Sequence, residues 1–171
     1  LCAPCRAAFS TGRYVHEVGA WDNASSYGGE HSTWGEYFDD HGVSVTTVGK
    51  LDFQPGVQGF PEQLLPAYRT SPDINGLQRD PPIVRDGARE RIEKAGPTDE
   101  RAGHVRSDQA KTNRAIEWLR ANADRDGWVL SVNYILPHFP LTAGHEYYDR
   151  YANVDELPYD YPSADDHPIL E

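Results

Sequence analysis

The stretch "STWGEYFDDHGVSVTTVG", Ser32–Gly49, decides the fold class. Thr33 and Glu36 stand at capping-box spacing, where a hydroxyl and a carboxylate satisfy each other's backbone amides and start a helix. Trp34, Tyr37 and Phe38 share one face of that helix, and Gly42 is placed to end it through a left-handed residue. "VSVTTVG" follows at once, a β-branched run of strand length. A helix that ends in glycine and passes directly into a strand is the repeating step of α/β proteins. The step recurs downstream. "SDQAKTNRAIEWLRANADRDG" (107–127) sets Ala115, Ile116, Leu119 and Ala123 at helical spacing, with Ser107 as cap and Gly127 beyond the end. "WVLSVNYIL" (128–136) is then a nearly continuous apolar run, as expected of a strand buried on both faces. Upstream, residues 2–10 read as a helix start, with Pro4 in the first turn and Gly12 after the last.

Between these units the pattern fades. From about Gln54 to Arg106, "DFQPGVQGFPEQLLP" (52–66) and "DINGLQRDPPIVRDG" are rich in Pro and Gly, and "RERIEK" is a brief solvated helix at most. An irregular surface excursion is expected there, of the kind that serves a site. The tail 154–171 is acidic and proline-rich, without a convincing element, and no internal repeat is visible. With 171 residues, 38% hydrophobic and 25% charged, the chain is long enough for a domain with a real core. Mean hydropathy is −0.70. No run approaches the roughly 18 apolar residues of a membrane span. A net charge of −11 argues against nucleic acid or an anionic membrane as partner. A local cluster of cations can still receive a small anion. Met is absent and the chain opens on Leu, so it reads as a piece of something longer and says nothing of a signal peptide or compartment.

The only two cysteines, Cys2 and Cys5, lie in "LCAPCRAAFSTGRYVHEVGAWDN". Two are too few for a disulfide scaffold. A redox dithiol would use the helix start to lower the first thiol's pKa, yet glycine interrupts this helix after about two turns. Structural zinc lacks a second Cys or Cys/His pair at ligand spacing. An inert pair of small residues is a third reading. A fourth makes Cys2 special and Cys5 a bystander.

That fourth reading draws on more residues. Cys2-x-Pro4-x-Arg6, continued by "AAFSTGRYVHEVG" and "GAWDNA", resembles the signature of the formylglycine-dependent sulfatases of the alkaline phosphatase superfamily. "VTTVGKLDF" resembles that family's strand ending in Gly-Lys-x-His, and "WVLSVNYILPHFPLTAGHEYYDRY" its strand ending in Pro-His-x-Pro. "DINGLQRDPP" and "DDHPILE" also look similar to bacterial sulfatase-like hydrolases, more weakly. The resemblance implies a three-layer α/β/α sandwich, incomplete here, with 1–171 a fragment of the catalytic domain.

It also implies a site. Cys2 would be oxidised to formylglycine by a formylglycine-generating enzyme and hydrated to a gem-diol. One hydroxyl attacks the sulfur of a small or aryl sulfate ester and releases the alcohol; the other then loses its proton and expels sulfate by collapse to the aldehyde. Arg6, one helical turn on, holds and activates the diol. Lys50 and His138 each follow a predicted strand, where α/β proteins place ligands. Lys50 would act as a point charge on sulfate oxygens, and His138 would donate a hydrogen bond or the leaving group's proton. Lys50 does not belong to a phosphate-binding P-loop, whose glycine spacing is different.

Two positions depart from the family pattern: Asp52 stands where histidine is usual after the lysine, and Cys5 where serine is commoner. A carboxylate at 52 can accept a proton, but it adds repulsion beside an anionic sulfate. The family's divalent metal, usually calcium, takes a pair of aspartates from an N-terminal strand and Asp with Asn or His from a later one. Those would precede Leu1 and follow Glu171, so Cys2 would be the one metal ligand from this piece, and the isolated 171 residues are expected to be inactive. His16 is expected near the site; His31, His41, His104, His145 and His167 are expected in solvent. The sequon Asn23-Ala24-Ser25 reads as chance. Three other functions stay open: a phosphonate or phosphate monoester hydrolase of the same superfamily, a thiol oxidoreductase needing both cysteines, and a homologue that binds without cleaving.

Overall fold

The computed structural model describes residues 1–69, 95–99 and 101–154. In chain order these form α1 (Cys2–Thr11), α2 (Val15–Val18), α3 (Trp34–Asp40), β1 (Ser44–Lys50), β2 (Glu62–Ala67), β3 (Gly96–Thr98), α4 (Gly103–Asn122), β4 (Trp128–Asn133), β5 (Thr142–Gly144) and α5 (His145–Tyr148), closed by a 3-10 turn at Asp149–Tyr151. β1 is the centre of a parallel sheet ordered β2–β1–β4, in register from Ser44 opposite Trp128 to Gly49 opposite Asn133. β3 and β5 make a separate parallel pair. The class is α/β.

The capping box forms. The Glu36 amide donates to Thr33 Oγ1 at 3.2 Å, and the Thr33 amide to Glu36 Oε2 at 2.9 Å. Thr33 also donates its hydroxyl to the Gly59 carbonyl, so the cap ties α3 to the loop after β1. Gly42 takes the left-handed conformation expected of it, with φ 80. Of the aromatic face, Trp34 packs edge-on to Phe60 at 4.9 Å, while Tyr37 and Phe38 remain exposed.

Val45 joins Ala7, Val18, Ala20, Tyr27, Leu51, Phe53 and Phe60 in one core cluster. Its neighbour Thr46 donates to Glu62 Oε2, which also receives Trp118 Nε1 from α4. Successive strand residues point to opposite faces, so α1 and α4 cover opposite sides of β1. Side chains the size of Phe53 and Phe60, both nearly inaccessible, contribute about 1.5–3 kcal/mol each by burial.

Four expectations are revised. α4 begins at Gly103, one turn before Ser107. Its buried stripe is Asp108, Lys111, Ala115 and Trp118; Ile116 and Leu119 are 39% exposed. Two polar residues occupy core positions because each satisfies the other, which the apolar period does not reveal. β4, the expected doubly buried strand, is only half buried along its length, whereas β1 is buried at Val45–Gly49. The stretch 54–106 holds β2 and β3, and Pro66 is tolerated in β2, which is an outer strand of the sheet among the described residues. "DINGLQRDPPIVRDG", "RERIEK" and the tail from 155 onward lie outside the described residues.

Candidate active site

Parallel pairing brings the carboxyl ends of β2, β1 and β4 together, and α1 sets its first turns against them. Arg6 is the joint. Its Nη1 donates to the Lys50 carbonyl at 2.7 Å, where β1 ends, and its Nη2 to the Tyr134 carbonyl at 3.3 Å, just past β4. One planar guanidinium therefore fixes α1 against two strand ends, a task for which lysine has no equivalent geometry.

Asp52 occupies the middle. Its side chain is 7% exposed, and three cations surround it: Lys50 Nζ at 3.3 Å and Arg6 Nε at 3.6 Å from Oδ2, and Arg69 Nη2 at 3.4 Å from Oδ1. The backbone there is left-handed, φ 57, a conformation Asp tolerates better than most residues. The Leu51 and Asp52 amides both donate to the Ala67 carbonyl, and the Arg69 amide donates to the Phe53 carbonyl at 2.9 Å. This exchange is what carries Arg69 to the cluster. Among the described residues, Asp52 Oδ2 and Arg69 Nε are buried without a hydrogen bond. Three cations against one carboxylate leave a positive excess in a chain whose net charge is −11.

Cys2 is the first residue of α1 and is half buried; Cys5 is exposed, and both are free thiols. Leu1 gives α1 no side-chain cap, and Asn23 supplies the missing acceptor by taking the Ala3 amide on Oδ1 at 3.0 Å. Asp22 braces the same loop by accepting the Ser25 and Ala24 amides, bonds that hold its carboxyl below its usual pKa against a small opposing effect of burial. The sequon asparagine thus positions the turn that bears Cys2.

His138 lies in the exposed turn after β4, with Nδ1 3.0 Å from the Phe139 carbonyl. Asp108 fastens that turn: its carboxylate accepts the Ile135 amide at 2.9 and 3.0 Å, the Leu136 amide at 2.9 Å and Lys111 Nζ at 2.7 Å. Burial pushes the Asp108 carboxyl up, but the Lys111 hydrogen bond and then the two amides outweigh it and hold the group below its usual pKa. His16 points to solvent stacked on Tyr14, while His104 and Thr142 Oγ1 are 2.7 Å apart.

Of the residues singled out by sequence, Arg6 and Lys50 meet around Asp52, Cys2 starts the helix that carries Arg6, and His138 belongs to the turn following the strand that Arg6 touches. Sequence reasoning missed Arg69, Asn23 and Asp108. Arg69 lies two residues past β2 in the proline-bearing stretch "PEQLLPAYR", and it is brought to the site by pairing with β1, which no local pattern reveals. As for a metal, among the described residues no three His, Cys, Asp or Glu side chains group to hold one, and Asp52 is already engaged by cations. The described residues alone do not make a metal centre.

The Sulfatase family model matches residues 1–161. The chain belongs to the sulfatase family. Among curated sulfatases it is 26% identical to arylsulfatase K of Mus musculus over 138 residues, 81% of this chain. It is 28% identical to the uncharacterized sulfatase YidJ of Escherichia coli strain K12 over 167 residues, 90% of this chain. It is 31% identical to the N-acetylglucosamine-6-O-sulfatase of Bacteroides thetaiotaomicron over 138 residues, again 81%. The chain spans 23%, 32% and 22% of the lengths of these three proteins. Membership of this family fixes the alkaline phosphatase-like α/β fold class. No helix among the described residues is long and apolar enough to cross a membrane.

Proposed function

We propose that this chain carries the nucleophile and part of the anion cradle of a sulfuric ester hydrolase, with Cys2 matured to formylglycine. The observation that carries the reading is the convergence of Arg6, Lys50 and Arg69 on Asp52, at the strand ends beside the helix that Cys2 begins. The aldehyde, once hydrated, supplies a hydroxyl nucleophile that a thiol at Cys2 does not. Arg6 orients that group from one helical turn away while bracing both strands. Lys50 and Arg69 direct positive charge at the ester's non-bridging oxygens, where charge builds up in the transition state. His138 delivers the leaving group's proton. The divalent metal usual in the family would draw its remaining ligands from outside these residues, and none of these roles is routed through it.

The names of arylsulfatase K and the N-acetylglucosamine-6-O-sulfatase cover aryl and sugar sulfates, which supports recognition of the sulfate rather than of one alcohol. Asp52 favours a singly charged ester, since a carboxylate in the cradle weighs twice as heavily against a dianion. A phosphonate monoester is also singly charged and is the second reading. Steady-state hydrolysis of paired aryl sulfate and aryl phosphonate esters by the full-length protein separates the two. A higher kcat/KM for the sulfate supports the first, a higher value for the phosphonate replaces it, and turnover of neither contradicts both.

A further inference from the structure

The buried charges on α4 lie outside the cradle, yet they touch both of its strand ends. Asp108 has a side chain 10% exposed, and each of its oxygens is taken up: Oδ1 by Lys111 Nζ and the Ile135 amide, Oδ2 by the Ile135 and Leu136 amides. Those amides open the turn Pro137-His138-Phe139-Pro140. Lys111 is 4% exposed at its side chain, and its stem lies over Gly49, where an added Cβ would come within 2.8 Å of Lys111 Cδ. Gly49 immediately precedes Lys50. Thr112, the residue after Lys111, adds a third tie, with Oγ1 3.0 Å from the hydroxyl of Tyr134, the residue whose backbone carbonyl Arg6 holds.

A buried ion pair adds little net stability, because desolvation offsets most of the attraction. Two hydrophobic residues would fill this face of α4 at no loss. They would not, however, orient two consecutive backbone amides just past the end of β4. A carboxylate does so with charge-assisted bonds in a fixed plane.

We propose that Asp108 and Lys111 are positioning residues for the ester site: Asp108 sets the turn that aims His138 at the leaving group, and Lys111 holds Asp108 while bracing Gly49 beneath Lys50. The inference rests on the reading of His138 given above, and it adds a specific dependence of leaving-group protonation on two residues that never touch substrate.

The test compares the full-length enzyme with Asp108→Asn, Lys111→Met and His138→Gln on two sulfate esters, 4-nitrophenyl sulfate with a good leaving group and phenyl sulfate with a poor one. Unfolding midpoints are recorded for each variant. If the turn aims a proton donor, His138→Gln lowers kcat at least tenfold more on phenyl sulfate than on 4-nitrophenyl sulfate, and Asp108→Asn shows the same bias to a smaller degree. Lys111→Met, which keeps Asp108 and an apolar stem over Gly49, follows with about a threefold bias and carries the test should Asp108→Asn not fold. A biased His138→Gln beside variants that lose equally on both esters makes Asp108 and Lys111 merely structural and overturns the inference alone. An unbiased His138→Gln overturns the role of His138, and the inference with it.

Discussion

Arg69 Nη2 lies 3.4 Å from Asp52 Oδ1, joining the exits of two neighbouring parallel strands through one buried carboxylate. Asp52 therefore does two things at once. It gathers three cations that would otherwise repel one another, and it trims the positive excess they present to a ligand.

Removing that charge should change which anion is preferred. A unit charge at about 5 Å is worth roughly 3 kcal/mol at an effective dielectric near 20, and a dianion feels it twice. With salt screening allowed for, Asp52→Asn should raise the ratio of kcat/KM for an aryl phosphate over an aryl sulfate by about tenfold. The shift should shrink as ionic strength increases. An unchanged or lower ratio would show that Asp52 plays no part in charge selection.

Arg6 is expected to be intolerant of its closest cationic substitute. Lysine keeps the charge but cannot reach the Lys50 and Tyr134 carbonyls together. Arg6→Lys should cost about a hundredfold or more in kcat/KM on an aryl sulfate, comparable with losing one preorganised transition-state donor. Circular dichroism at the assay temperature checks that the fold persists.

Gly49 has a positive φ of 99, and an added Cβ would collide with the Asn133 carbonyl and crowd Lys111. Gly49→Ala should lower the unfolding free energy by about 1–3 kcal/mol, read from the urea midpoint, and should raise KM by displacing Lys50.

Much of this fold could be read directly. The Thr33–Glu36 cap, Gly12 and Gly42 as stops, and the β-branched run of β1 are local signals, and local signals survive folding. What escaped was long-range. β2 carries a proline that argues against a strand when read locally, and α4 buries a charge pair that looks solvated when residues are counted by polarity. In the same way Lys50 and Arg6 were legible because a motif points to them. Asn23 reaches Ala3 across 20 positions, and Arg69 meets Asp52 only through the pairing of β2 with β1; no window of sequence holds those contacts.

Asp108 predicts a pH signature. Its carboxyl is held below the ordinary 3.8 in the folded protein, so its stabilising effect is complete above that value and is lost as pH falls through the lowered one. Asp108→Asn should cost about 1–3 kcal/mol at pH 7. The gap between wild-type and variant unfolding free energies should narrow once pH drops below about 4. A gap that stays constant into the acid range would mean the carboxylate charge is not what Ile135, Leu136 and Lys111 engage.

The central claim is that Cys2 acts as formylglycine and not as a thiol. Mass spectrometry of the peptide bearing Cys2 and Arg6, taken from the full-length protein with measured sulfatase turnover, tests it most directly. The account predicts the thiol-to-aldehyde mass change at Cys2 and an unmodified thiol at Cys5. An active enzyme whose Cys2 is entirely thiol would contradict it.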